Sequence, residues 1–164
     1  MKLKGFIVIF SLLFFSWLVL NHSLQLPIIL IGVGLAGLLS FLMCTKCSVY
    51  NDIKFTPKAI LYTFLYLGVF ILELVKSNLD IAKRVLSPKL PINPGIVKAE
   101  TVLQSQMGRL ILANSITLTP GTFTIDVIGN SLYIHCVNIE GEDMEQYAQN
   151  IVRKFEKYLE VLYG

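Results

Sequence analysis

The chain has 164 residues, of which 54% are hydrophobic and only 15% are charged. Its mean hydropathy of +0.66 is too high for an ordinary soluble domain of this length, so the composition excludes a purely soluble protein. The formal net charge of +3 is too small to indicate binding to nucleic acid, and membrane-flanking anchors explain the lysines better.

Three apolar runs occupy the first half of the chain, at residues 6–20, 26–43 and 59–72. Only five residues, Asn21 to Gln25, separate the first two runs, so we expect a tight transmembrane hairpin of helices at about 5–20 and 26–43. No small-residue cleavage site follows the first run, which favours an uncleaved helix over a signal peptide. The helical pattern of the third run continues to about residue 86, which predicts a helix over 59–86.

The distribution of Lys and Arg predicts the topology, because these residues favour the cytoplasmic side of a membrane. The hairpin turn contains none, whereas nine lie at the N-terminus, in residues 44–58 and after the third run. If the third run crosses the membrane, the nine divide five to four; if it does not, all nine are cytoplasmic. The sequence therefore favours two spans and an interfacial, re-entrant or partner-covered third helix, with three spans as the alternative.

Residues 1–87 are thus predicted to form a membrane region and residues 88–164 a small cytoplasmic α+β domain of β-α-β-β-α order. Strand and helix patterns lie at 96–101 and 102–114, and an apolar stripe from Met144 to Leu162 predicts the last helix. Gly129-Asn130 predicts a two-residue hairpin between two alternating strands. The residues expected to face the core are Phe123, Ile125, Val127, Leu132, Ile134 and Cys136.

The segment from Ala113 to Thr122 connects the first helix of this domain to its second strand. Its alternating polar and apolar residues predict a helix end and a short extended piece, and Pro120-Gly121 predicts a turn. We expect its polar groups to cap the helix end and fix the turn, because no glycine-rich phosphate-binding motif is present. The residues that form this structural motif are Asn114, Ser115, Thr117, Thr119, Pro120, Gly121 and Thr122.

This segment, together with Ser77–Pro88 and Pro91–Val97, resembles the E subunits of the multi-subunit Mrp-type cation/proton antiporters. The resemblance covers about residues 77–137 closely. It implies an accessory, non-catalytic subunit without a cofactor, needed for assembly and stability of a complex in a prokaryotic plasma membrane. Partner subunits would handle Na+, or another monovalent cation, and H+. A subunit of a membrane-bound hydrogenase-type complex with an antiporter module fits the same resemblance.

Cys44 and Cys47 form a Cys-x-x-Cys pair that could indicate a membrane thiol or metal protein. The pair follows the end of an apolar helix, where the helix dipole does not favour a thiolate. A zinc site needs about four ligands, and the other candidates, His22, His135 and Cys136, are scattered. We therefore interpret the thiols as incidental and predict no metal.

Glu73, Lys76 and Asp80 share one face of the third helix at the predicted membrane boundary. An acidic residue there is a functional candidate, although marking the membrane surface is the simpler interpretation. The first two apolar runs contain no ionisable residue, which argues against a chain that transports ions by itself.

Three glycines, Gly32, Gly34 and Gly37, lie in the second helix and predict close helix packing. Gly34 is close in phase to Gly37 and Ser40. We expect that face of the helix to meet another subunit.

Overall fold

A computed structural model describes residues 3–43, 56–139, 141 and 143–163. Contacts divide the chain into two compact units, residues 1–53 and 54–164. The change in composition suggested a boundary after residue 87, whereas the contacts group the third helix with the C-terminal residues. The elements are α1 (Leu3–Asn21), α2 (Leu26–Met43), α3 (Pro57–Leu86), β1 (Gly95–Glu100), α4 (Gln106–Leu118), β2 (Thr122–Ile128), β3 (Ser131–Cys136) and α5 (Met144–Tyr163).

The N-terminal unit contains the α1–α2 hairpin. Nε1 of Trp17 donates a hydrogen bond to the carbonyl of Ile28 (3.0 Å), and a Cβ added at Gly32 would collide with the indole. Gly32 is therefore needed for close packing within the hairpin. By length and composition alone, α2 and α3 are long and apolar enough to cross a membrane, and the apolar part of α1 is slightly shorter.

The row of small buried residues on α2 differs from the predicted one. Gly32, Ala36 and Ser40 recur every four residues and are buried, so Ser40 shares the packed face of Gly32. Ser40 therefore packs inside the hairpin, and the contact of Gly34 and Gly37 with another subunit stays a prediction. A Cβ added at Gly34 or Gly37 would meet nothing within 4 Å.

In the C-terminal unit, α3 begins at a capped turn and packs one face against α5. The side chain of Thr56 accepts a hydrogen bond from the backbone N–H of Ala59 (3.1 Å), and Pro57 occupies the first helical turn. Aromatic contacts then follow the helix, as in the Tyr66–Phe155 pair with ring centroids 6.5 Å apart. The opposite face exposes large apolar side chains, which include Ile60, Leu61, Phe64, Leu65, Ile71, Leu72, Val75 and Leu79.

The three strands form an antiparallel sheet in the order β1-β3-β2, and α4 and α5 cover one face of it. Leu132, Ile134 and Cys136 of the central strand β3 are completely buried, as predicted. The Gly129-Asn130 hairpin is also confirmed, with Gly129 at a φ of +59°. The β-α-β-β-α order predicted from the sequence is therefore correct.

Helix α4 begins and ends four residues later than predicted. Its N-cap is Ser105, whose side chain accepts a hydrogen bond from the N–H of Gly108 (2.9 Å), so residues 102–105 are not helical. The helix continues through Asn114 to Leu118 and is capped by Thr119, so the predicted extended piece is wrong. The helix stops there because the ring of Pro120 disfavours helical backbone angles at the preceding residue, Thr119.

Strand β2 presents the opposite face from the predicted one before its bulge, whereas Val127, after the bulge, packs against the core as predicted. Phe123 is 54% exposed and Ile125 is 48% exposed, so their predicted place in the core is wrong. Thr122, Thr124 and Val127 are the partly buried residues, and the register shifts between Thr124 and Asp126. A β-bulge of this kind changes which side chains face the core.

Candidate functional site

The segment 113–122 borders a groove within the C-terminal unit, which we call the signature groove. Its volume is about 460 Å³. The second half of α3, the turn after α4, the end of β3 and α5 supply its walls. The lining residues are Glu73, Lys76, Ser77, Asp80, Ile81, Arg84, Ile116, Thr119, Pro120, Gly121, Thr122, Val137, Asn138, Tyr147, Asn150, Ile151, Lys154 and Phe155.

The turn that borders the groove is held by hydroxyl groups. A helix end leaves its last carbonyls without intrahelical partners. Oγ1 of Thr119 donates to the carbonyl of Ser115 (2.7 Å), and Oγ1 of Thr122 donates to that of Ile116 (2.7 Å). Gly121 completes the turn at a φ of +92°, where an L-residue is strained.

A second set of hydrogen bonds orients β2. The backbone N–H of Thr124 donates to Oγ1 of Thr117 (3.1 Å), and Oγ1 of Thr124 donates to the carbonyl of Ala113 (3.1 Å). These bonds require the hydroxyl of Thr124 to face α4, and the neighbouring Phe123 consequently faces outward. Asn114 is exposed on α4 and is not among the residues that line the signature groove.

Ser115 connects the same helix to α3. Its hydroxyl donates to the carbonyl of Ile111 (2.6 Å) and shares a short hydrogen bond with the hydroxyl of Tyr66. The sequence analysis did not single out Tyr66. Ala59, Tyr62, Tyr66 and Phe70 recur at helical spacing, and that pattern could have indicated a packed aromatic face.

The ionisable residues on α3 form ion pairs beside the groove. The carboxylate of Glu73 lies 3.0 Å from Nζ of Lys76 and 2.8 Å from Nζ of Lys154, and its side chain is only 14% exposed. Glu73 therefore connects α3 to α5, and Lys154 was missed because only the fold brings it close. Asp80 instead pairs with Arg84 at 2.7 Å, and a spacing of four residues could have indicated that pair.

Most polar groups described at the groove wall make contacts within the C-terminal unit. None of its described lining residues is His or Cys, and the hydroxyls of its turn donate to backbone carbonyls. Both signs of charge are present, and the carboxylates at its wall are engaged by nearby cations.

The thiol and metal candidates lie in different parts of the chain. Cys44 and Cys47 lie outside the described residues. Burial raises the pKa of the Cys136 thiol, despite a hydrogen bond with Tyr147 that acts in the opposite direction. Within the described part of the chain, no group of three or more His, Cys, Asp or Glu side chains could hold a metal ion.

Comparisons with a family model and with individual proteins point to the same protein family. A family model described as a Na+/H+ ion antiporter subunit matches residues 10–161. The E subunit of the Na+/H+ antiporter of Bacillus subtilis (strain 168) is 42% identical over 94 residues, which are 56% of this chain and 58% of that protein. The E1 subunit of the Na+/H+ antiporter of Staphylococcus haemolyticus (strain JCSC1435) is 32% identical over 155 residues, which are 92% of both chains. The chain thus spans less than two thirds of the first relative and nearly all of the second.

One solved structure is similar over almost the full length. A chain in the structure of the membrane-bound sulfane sulfur reductase, an archaeal respiratory membrane complex, superposes with a TM-score of 0.83. It is 37% identical, and the superposition covers 96% of this chain and 98% of that one.

Proposed function

Since the chain belongs to the Na+/H+ ion antiporter subunit family, we propose that it is an accessory, non-catalytic subunit of a multi-subunit monovalent cation/proton antiporter. Its task is assembly and stability of the complex in a prokaryotic plasma membrane. Other subunits carry the Na+ and H+ pathways. The family match over residues 10–161 is the observation that carries this proposal.

The side-chain chemistry supports an accessory role. A proton or cation pathway through a membrane needs a series of ionisable residues, and α2 contains none. The hydrogen bond between Tyr66 and Ser115 joins α3 to α4, and the ion pair of Glu73 and Lys154 in the signature groove joins α3 to α5. These contacts hold α3, α4 and α5 together as one unit, which suits a subunit on which other subunits assemble.

In the membrane arrangement that we propose, α1 and α2 span the bilayer, the C-terminal unit is cytoplasmic, and α3 lies along the membrane surface. The packing of α3 supports this position, because α5 runs beside it from Tyr62–Tyr158 (6.4 Å) to Glu73–Lys154 (2.8 Å). If α3 crossed the bilayer with α5 attached, the exposed Arg153, Lys154 and Lys157 would enter the hydrocarbon.

The free energies favour the surface position. Each basic residue at the centre of a bilayer costs about 2.5–3.5 kcal/mol on insertion scales. A surface position leaves α5 in water and places the exposed aliphatic face of α3 in the lipid. It also keeps Lys58, Lys76 and Lys83 on the cytoplasmic side, as the positive-inside rule requires.

Thiol labelling in membrane vesicles tests this arrangement. Single cysteines replace His22, Lys58 or Lys89 in a chain with no other cysteine, and an impermeant maleimide is applied to right-side-out and to everted vesicles. We expect positions 58 and 89, which flank α3, to react only in everted vesicles, and position 22 only in right-side-out vesicles. Labelling of 58 and 89 from opposite sides would show that α3 crosses the membrane.

Deletion of the gene tests the accessory role. We expect the remaining subunits to lose assembly, cation/proton exchange in everted vesicles to fall with the amount of complex, and the purified chain to give no exchange in liposomes. Exchange by the purified chain would refute the accessory role and indicate an autonomous transporter. Loss of exchange after removal of Cys44 and Cys47 alone would instead favour a thiol protein.

A second candidate is a subunit of a respiratory membrane complex that contains an antiporter-like module. The similarity to a chain of the archaeal sulfane sulfur reductase, with a TM-score of 0.83, favours it. Purification of the tagged chain from its native membrane distinguishes the two. Co-purification of subunits that bind redox cofactors would support the respiratory complex, whereas their absence from an intact complex would support the antiporter.

A further inference from the structure

The outer edge of β1 lacks the features that protect the other edge of the sheet, at β2, from pairing with a further strand. In the order β1-β3-β2, both β1 and β2 are edge strands. The β2 edge is protected by its bulge and by the bond from the N–H of Thr124 to Thr117. Strand β1 has neither a bulge nor a proline and pairs with β3 in an unbroken register from Gly95 to Glu100.

A side chain already imitates a neighbouring strand at one end of β1. With its amide assigned so that each donor meets an acceptor, Gln149 on α5 donates to the carbonyl of Glu100 (3.2 Å) and accepts from its N–H (2.9 Å). These two bonds set the orientation of the amide. They also show that both backbone groups of Glu100 point away from β3.

The direction of the remaining groups follows by alternation. Successive residues of an edge strand direct their backbone groups alternately towards the partner strand and away from it. Thr101 bonds towards the β3 side, because its N–H donates to the carbonyl of Asn130 (2.8 Å). Ile96 and Lys98 share the phase of Glu100, so their N–H and C=O groups point outward.

These outward groups border a cleft between β1 and the start of α5. The cleft has a volume of about 400 Å³ and is lined by Ile96, Val97, Lys98, Glu100, Met144, Glu145 and Gln149. Met144 is 59% exposed, although the apolar stripe of α5 begins with it. Lys98 lies 3.6 Å from Glu100, and no described cation pairs with Glu145. The cleft therefore offers a strand edge, an apolar side chain and a carboxylate without a described cation beside it.

We propose that this cleft binds an extended segment of a neighbouring subunit, which adds a fourth strand to the sheet beside β1. The segment forms backbone hydrogen bonds with Ile96 and Lys98, as in other cases of strand addition. One of its apolar side chains covers Met144, and a Lys or Arg pairs with Glu145. This inference rests on the proposed role as a subunit of a larger complex.

A proline substitution tests the strand edge directly. Lys98→Pro removes one outward N–H and blocks the approach of another strand, but it leaves the ladder with β3 intact, because the N–H of Lys98 does not point to β3. Lys98→Ala removes the same side chain and retains the N–H. The tagged full-length chain is purified from native membranes in mild detergent, and the ratio of other subunits to the chain is measured by quantitative mass spectrometry.

We expect at least one other subunit to co-purify about three- to tenfold less with the Lys98→Pro chain than with the Lys98→Ala chain. This fold-change corresponds to the net free energy of one hydrogen bond. Equal retention by the two variants would overturn the strand addition and leave the proposed function standing. Absence of other subunits from the wild-type chain would overturn both.

A photo-crosslinking amino acid at Met144 gives a measurement that does not depend on the folding of the proline variant. We expect it to crosslink, in the intact complex, to a short segment of another subunit that contains a basic residue. Crosslinks only to a second copy of this chain, or to none of the subunits, would overturn the proposal.

Discussion

The contact between Gly121 and α3 allows a sharp test of how the signature turn is held. Gly121 has a φ of +92°, and an added Cβ would lie 3.0 Å from Cδ1 of Ile81. Gly141 has a nearly equal φ of +89°, but a Cβ added there would meet nothing within 4 Å. Gly141→Ala is therefore the matched control for backbone strain in Gly121→Ala.

The expected magnitudes follow from these two terms. An L-residue in the left-handed region costs about 1–2 kcal/mol, and both variants carry that cost. Crowding against Ile81 adds to this cost in Gly121→Ala alone, and because the contact is with a terminal methyl group that can shift, the added cost is about 1 kcal/mol, the low end of the range for overpacking. Since 1 kcal/mol shifts Tm by about 4 °C in a domain of roughly 100 residues, we expect Gly121→Ala to melt about 4 °C below the control.

The assay uses Cys136 as the reporter of unfolding. With Cys44 and Cys47 replaced by Ser, the remaining thiol is completely buried, and burial raises its pKa, so a fluorogenic maleimide reacts only as the unit unfolds. Adding Ile81→Ala should recover part of the Tm lost in Gly121→Ala. Equal melting of the two glycine variants, with no such recovery, would refute the contact between the turn and α3.

The same turn predicts a functional result in membranes. Pro120→Gly or Gly121→Val should lower cation/proton exchange in everted vesicles in proportion to the loss of assembled complex. The cation preference of the remaining complex should not change, because the proposal places the ion pathways in other subunits. A changed preference at normal abundance would mean that the loop takes part in transport.

Three further substitutions follow from burial and hydrogen bonding. Phe123→Ser should change the free energy of unfolding by less than about 1 kcal/mol, because Phe123 is 54% exposed. Leu132→Ser, at a completely buried site, should lower it by at least about 2 kcal/mol. Equal losses in the two variants would mean that Phe123 is a core residue after all. Glu156→Leu should lower the free energy of unfolding by about 1–3 kcal/mol, because the carboxylate of Glu156 accepts hydrogen bonds from Thr101 and Val102 in the loop after β1. An unchanged Tm would contradict this role. Gly34→Leu should reduce co-purification of other subunits without unfolding the hairpin. Gly32→Leu should instead disrupt the hairpin, because the new side chain would collide with the indole of Trp17. A normal yield of complex with Gly34→Leu would exclude that face of α2 as an interface.

The sequence predicted those elements whose signals are local. The Gly129-Asn130 hairpin and the alternation of Leu132, Ile134 and Cys136 are patterns that short-range geometry determines, and the structure has both. The stripe of α5 was also predictable, because a helix that covers a sheet needs one apolar face.

The errors lie where tertiary hydrogen bonds override the pattern. Phe123 and Ile125 alternate as core residues should, yet Thr124 bonds to α4 and places them outside. The side chains of Ser115 and Thr119 likewise bond to carbonyls of α4, which the sequence analysis placed four residues too early. The backbone N–H and the hydroxyl of Thr124 both bond to α4, and these two bonds, each worth about 0.5–1.5 kcal/mol net, help to fix which face of the strand meets the helix.

The same reasoning explains why α3 was the hardest element to place. A helix that is apolar on all sides suggests a membrane span, but the two faces of α3 differ in kind. The inner face carries aromatic residues, and the hydroxyl of Tyr66 bonds to Ser115 of the sheet domain. The outer face is mainly aliphatic and exposed. A spanning helix surrounded by lipid would not need a tyrosine bonded to the sheet domain, whereas a helix between lipid and protein needs both faces. The test at positions 58 and 89 therefore decides between the proposed surface position of α3 and a helix that crosses the bilayer.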